Sequence, residues 1–143
     1  MADLPPIYFH YQYNFSFPHR NLTKAVVAKI FKDHKLGIQR LDYIFCSDDQ
    51  LLQINQHFLQ HDTYTDIITF PLSAKGEDIV GEIYISVERV KENAAQFQSS
   101  FLEELNRVIF HGALHLCGYD DHTPVEQKAM RSAEEKYLHQ RFT

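Results

Sequence analysis

Within FHGALHLCGYDDHT, Phe110 to Thr123, three of the chain's nine histidines fall close together beside two adjacent aspartates. On an α-helix, residues four apart lie about 40° apart around the axis and about 6 Å along it, so His111 and His115 share a face and can hold one ion together. Gly118 follows where such a helix would end, and glycine tolerates the left-handed backbone that a chain reversal often requires. The returning chain can then carry a third ligand. Asp121 and His122 are the candidates, because carboxylate and imidazole both bind zinc. Three protein ligands leave a position open for water or substrate, as a catalytic zinc needs, whereas a structural site wants a fourth. Cys117, the nearest thiol, lies about 200° around the helix from His115 and should face away from it. A catalytic metal site is therefore expected. In H-E-x-x-H metalloproteases the residue after the first His is the general base, and here that residue is Gly112, so a peptidase reading lacks its base.

The elements that must position this cluster follow from periodicity. IYFHYQYNFSF, Ile7 to Phe17, alternates apolar and polar residues as a half-buried strand does, and Pro18 closes it. NLTKAVVAKIFKDHKL places Leu22, Val26, Ile30 and Phe31 at helical spacing, with Gly37 at the expected C-cap. Ile38 to Ser47 alternates as a strand; Ser47 or Asp48 then caps a helix carrying Leu51, Leu52, Ile54 and Phe58. TDIITFPL and DIVGEIYISV, joined through SAKGE, read as a hairpin. Helices are predicted over Glu88–Gln98, Ser100–Cys117 and Pro124–His139, the last opened by Thr123, Pro124 and Glu126. With strands mostly in the first half and helices in the second, the class is α+β, a single domain over 1–143 with about four strands and about five helices.

The 143 residues, 44% of them hydrophobic and 13% aromatic, can bury one core. Cys46 and Cys117 form no CxxC pair or secreted-scaffold pattern, which fits reduced thiols and a cytoplasmic location. The N-terminal residues MADLPPIYFHYQYNF do not have the order of a signal peptide, and no apolar run reaches ~20 residues, so neither export nor a membrane is expected. A net charge of -5 exerts no global pull on nucleic acid.

HGALHLCGYDDH resembles the H-G-x-L-H-L-x-G-Y-D-H signature of the YbeY endoribonucleases, bacterial factors of ribosomal RNA maturation. INQHFLQHDTYTDIITFP, Ile54 to Pro71, is similar to that family's L-N-x-x-[YF]-R-x-x-D-x-x-T-D-V-L-S-F-P block, and GEIYIS, Gly81 to Ser86, to its G-D-I-x-I-S strand. The resemblance implies a small mixed sheet, one zinc ion held by three residues, and hydrolytic cleavage of RNA. It also implies maturation of the 3′ end of small-subunit ribosomal RNA and ribosome quality control, with ribosomal RNA and ribosomal subunit proteins as partners. Two positions depart from the pattern. Asp121 stands in the register of the family's third His, with His122 one residue later, so either can complete the set with His111 and His115. Leu59 stands where the family carries an Arg, and Leu cannot pair with a phosphate oxygen; His57, His61 or Lys75 are the substitutes considered.

Zinc acidifies a water to a pKa of roughly 7 and acts as a Lewis acid on phosphoryl oxygens, which covers both needs of phosphodiester hydrolysis. Whichever of Asp120, Asp121 and His122 does not ligate can relay a proton, although the RNA's own 2′-OH is an alternative nucleophile. Arg107, one turn before His111, can meet phosphate near the metal or pair with Glu103. Asn55, Thr65 and Asp66 are candidates to line the site. The aromatic residues Tyr8, Phe9, Tyr11, Tyr13 and Phe15 read as core more than as RNA-stacking residues, and His10, His19, His34 and His139 as solvent-exposed. Two rivals remain: a non-catalytic ribosome-assembly factor with structural zinc, and a metallopeptidase-like hydrolase.

Overall fold

The computed structural model describes residues 4–60 and 64–143. His61, considered above as a phosphate ligand, lies outside them. The elements are β1 (Ile7–Tyr11), α1 (Arg20–Asp33), β2 (Ile38–Cys46), α2 (Asp48–Leu59), β3 (Ile67–Pro71), β4 (Ile79–Ser86), α3 (Val87–Gln96), α4 (Phe101–Leu116) and α5 (Pro124–Phe142). The sheet runs in the order β1-β2-β4-β3. β1 and β2 are parallel, as are β2 and β4, while β3 and β4 form the expected antiparallel hairpin. This is the expected α+β class with a mixed sheet.

The alternation of β2 places Leu41, Tyr43 and Phe45 in the main core with Ile83 and Ile85 of β4. α2 covers part of the other sheet face, over Cys46 and Ile68. Two element boundaries differ from those expected. β1 ends at Tyr11 rather than Phe17, because the N–H groups of Gln12 and Tyr13 both donate to the Phe45 carbonyl and the chain bends there. Phe17 and, less completely, Phe9, Tyr13 and Phe15 still pack into the core, while Tyr8 and Tyr11 remain exposed. α1 stops at Asp33, and Lys35, at φ 59°, takes the left-handed conformation expected of Gly37. Its buried face is Thr23, Val27, Ile30 and Phe31, so Leu22 points to solvent.

α4 is the axis of the fold, buried nearly all round against α1, α3, α5 and the sheet. The buried Tyr43 hydroxyl donates to the Ile109 carbonyl at 2.9 Å and fixes this helix on β2. A polar network fixes its neighbours: Thr23 Oγ1 donates to Asn106 Oδ1 at 2.6 Å and accepts from Arg141 Nε at 2.9 Å, joining α1, α4 and α5. Because each member is hydrogen-bonded, the network sets the relative position of three helices without leaving a buried group unsatisfied. Cys46 and Cys117 are free thiols, and burial pushes both up to about 12. Among the described residues no helix is long and apolar enough to cross a membrane.

Candidate metal centre

Along α4, Glu104, Arg107, His111 and His115 form one stripe at three- and four-residue spacing, and all four line a cavity of about 770 Å³. Gly112 faces the other way. A Cβ there would stand 3.0 Å from Cδ1 of both Ile67 and Ile83, so the small residue lets α4 sit close to β3 and β4. A glutamate at this position would meet the sheet, which removes the H-E-x-x-H geometry on steric grounds.

The helix ends as its sequence indicates, with Gly118 at φ 106°. Tyr119 holds the turn that follows. Its hydroxyl lies 3.1 Å from His34 Nε2, while His34 Nδ1 lies 2.7 Å from the Ile30 carbonyl. His34 is therefore a half-buried brace rather than a solvent-exposed residue, and His10, though exposed, has a partner in Asp42 at 2.7 Å. Beyond the turn, Gln127 Nε2 donates to the Asp121 carbonyl at 3.0 Å, and Thr123 and Glu126 close a capping box at the start of α5. These contacts bring Asp121 and His122 to the cavity wall.

Each histidine of the pair has its Nδ1 edge occupied. His111 Nδ1 lies 2.7 Å from Glu134 Oε2, and His115 Nδ1 lies 2.9 Å from the Tyr119 carbonyl. An Nδ1–H donated to an acceptor leaves Nε2 with its lone pair, which is the tautomer and orientation of a metal-ligating histidine. His111 Nε2 faces Asp121 Oδ2 at 3.5 Å. The donor chemistry thus fits zinc: two imidazoles with fixed rings and a carboxylate opposite one of them. As the side chains stand, no three His, Cys, Asp or Glu residues among those described are close enough together to hold an ion. The Asp121 side chain is 44% exposed, on the open side of the cavity.

The floor is acidic. Asp66, Glu104 and Glu134 all line it, and burial raises the carboxyls of Asp66 and Glu104 above their ordinary values, reinforced by the other acids nearby. Burial alone would lower the His111 pKa, but its hydrogen bond to Glu134 and the charges of Glu134, Asp121 and Asp66 outweigh burial and raise it. A pocket with this field favours a cation.

Thr65, Asp66, Arg107, His111, His115, Asp121 and His122 all meet at the cavity. Asn55 and Asp120 do not: Asn55 is buried in α2, and Asp120 Oδ1 lies beside the Nδ1 edge of His115, at 4.0 Å, outside the cavity lining. Arg107 pairs with Glu135 at 2.7 Å and with Glu104 and Glu134 at 3.5 Å, rather than with Glu103, so its charge is already engaged. His57 and Lys75, considered in place of the Arg missing at Leu59, are also outside the lining.

Glu134 is not among the residues expected from sequence, although a signal is present: an acid on the buried face of α5, between Met130 and Tyr137, where a charge needs a partner. Arg131, exposed on the cavity rim, is a second residue that the sequence pattern does not single out.

A family model described as Endoribonuclease YbeY matches residues 10–141. The Endoribonuclease YbeY of Flavobacterium psychrophilum is 43% identical over 132 residues, covering 92% of this chain and 94% of that protein. The Endoribonuclease YbeY of Phocaeicola vulgatus is 50% identical over 116 residues, covering 81% and 83%. The solution structure of TM1509 from Thermotoga maritima superposes with a TM-score of 0.67 at 31% identity, covering 95% of this chain and 89% of that one.

Proposed function

The chain belongs to the endoribonuclease YbeY family and is a hydrolytic endoribonuclease, and from that premise we propose that it matures ribosomal RNA in the cytoplasm using one zinc ion held by His111, His115 and Asp121. The observation that carries the metal assignment is the pair of occupied Nδ1 edges, 2.7 Å to Glu134 and 2.9 Å to the Tyr119 carbonyl, which directs both Nε2 lone pairs to ligation. His111, His115 and Asp121 would hold the ion, and a zinc bound there would supply a Lewis acid and lower the pKa of a water. Glu134 holds the His111 ring, and the Tyr119 carbonyl holds that of His115. His122 lines the same wall, which supports giving it the proton transfer: it takes a proton from the attacking hydroxyl and returns one to the leaving oxygen. The acidic floor disfavours RNA phosphates until a cation offsets it, which couples substrate binding to metal loading.

The substrate we propose is precursor small-subunit ribosomal RNA, cut near its 3′ end, with ribosomal subunit proteins presenting it. The test is cleavage of a transcript spanning that end, with cut sites mapped at nucleotide resolution. Cleavage confined to the 3′ boundary, abolished by chelator and restored by zinc, is the expected result; scattered cleavage that is indifferent to chelator contradicts both the substrate and the metal.

A further inference from the structure

The cavity at the histidine pair does not end at its acidic floor. A second depression of about 400 Å³, between the α3–α4 connection and α5, shares Phe97, Glu104, Arg107 and Arg131 with it. The depression therefore adjoins the histidine cavity across these four side chains, at the end of α3.

Two side chains in the shared wall have no role in the core or in the metal site. Phe97, the residue after α3, is 63% exposed, although it is a large aromatic flanked by a polar connection. Gln98 beside it has φ 57°, so the backbone reverses immediately after Phe97. Arg131 is exposed and, among the described residues, makes no ion pair; its charge reaches Glu104 only at longer range. The contrast with Arg107 is direct: three carboxylates surround Arg107, which leaves Arg131 as the uncommitted guanidinium on the groove. Ser99, also in the wall, has a hydroxyl without a hydrogen-bond partner among the described residues.

We propose that this groove is a binding subsite for the single-stranded RNA flanking the cleaved bond, with a base stacked on Phe97 and a phosphate paired to Arg131. The inference rests on the RNA-cleaving reading of the histidine cavity. Single-stranded nucleic acid is held by this combination, an aromatic face for bases and a cation for the backbone. A lone exposed phenylalanine is ordinary on a protein surface; one that lines, together with an unpaired arginine, both the histidine cavity of an RNA-cleaving enzyme and the depression beside it has a defined occupant. The groove also places a phosphate contact on α5, on a different element from Leu59, whose position in α2 offers none. Glu103 and Glu104 line the same groove and oppose phosphate, so the contact is confined to the Arg131 side.

The test is equilibrium binding of a fluorescein-labelled single-stranded oligoribonucleotide, checked intact after each titration, over a range of salt concentrations. Phe97→Ala is expected to weaken binding by about tenfold, within the range for loss of one stacked base, while Phe97→Tyr retains it. Arg131→Ala is expected to reduce the slope of log affinity against log salt by about 0.7, the effect of one phosphate contact on a single strand, while Arg131→Lys preserves it. Zinc content and melting temperature should match wild type in all four variants. If wild type binds the RNA and both alanine variants bind it equally well, the groove is not the RNA path, and the metal centre stands. If wild type holds zinc yet neither binds nor cleaves RNA, the reading of the cavity itself fails, and the subsite with it.

Discussion

Glu134 Oε2, on α5, lies 2.7 Å from Nδ1 of His111, on α4, with the carboxylate almost wholly buried. The same carboxylate receives Arg107 Nη1 on its other oxygen at 3.5 Å. The pair ties the helix that carries both histidines to the helix that follows the turn with Asp121. Removing such a partner typically costs roughly 10- to 100-fold in metal affinity, so Glu134→Gln is expected to weaken zinc binding by about that much while leaving the fold intact. Competition titration against a zinc indicator, with circular dichroism as control, measures both. Unchanged affinity would mean that Glu134 does not orient the ligand.

The third ligand is tested by Asp121→Ala and His122→Ala side by side. With Asp121 Oδ2 3.5 Å from His111 Nε2, Asp121→Ala is expected to lose zinc, and His122→Ala to retain zinc while losing catalytic rate. Loss of zinc from His122→Ala alone would reverse the assignment.

Gly112 sets the distance between α4 and the hairpin. Gly112→Ala gains about 1 kcal/mol in helix propensity but meets Ile67 and Ile83 at 3.0 Å, and overpacking costs about 1–3 kcal/mol. A net destabilisation of about 1 kcal/mol is expected in urea melts, relieved in part by Ile83→Val, which removes one of the crowding methyl groups. Gly112→Glu is expected not to fold. A stable Gly112→Glu protein would show that the helix can move off the sheet.

Glu104 gives a pH dependence of defined sign. Burial and its acidic neighbours raise its pKa in the fold, so its ionised form is disfavoured there relative to the unfolded chain. Below the unfolded value it is neutral in both states and costs nothing. As pH rises from the ordinary carboxylate range through the raised folded value, the wild-type protein loses stability that Glu104→Gln keeps. Metal-free melts should therefore show Glu104→Gln gaining on wild type as the pH rises above the ordinary glutamate value of about 4.3 and through the raised folded value. The opposite trend would mean that Arg107, 3.5 Å away, outweighs burial.

The histidine pair, the glycine exit and the hairpin are legible in the sequence because each is local: helical spacing, a left-handed turn and strand alternation are written in neighbouring residues. What is not legible depends on contacts across the chain. β1 ends early because the Phe45 carbonyl, on a different strand, accepts from the N–H groups of Gln12 and Tyr13. The buried face of α1 is offset from Leu22 and Val26 to Thr23 and Val27 because Thr23 is held by Asn106 and Arg141, both far along the chain. Arg107 looks free to meet phosphate in the sequence because two of its three carboxylate partners, Glu134 and Glu135, lie on another helix.

The most direct measurement pairs zinc content with RNA cleavage in wild type and His115→Ala. About one zinc per chain in wild type, with both zinc and cleavage lost in the variant, is the expected result for a catalytic three-ligand site. Cleavage that survives the loss of zinc would contradict it.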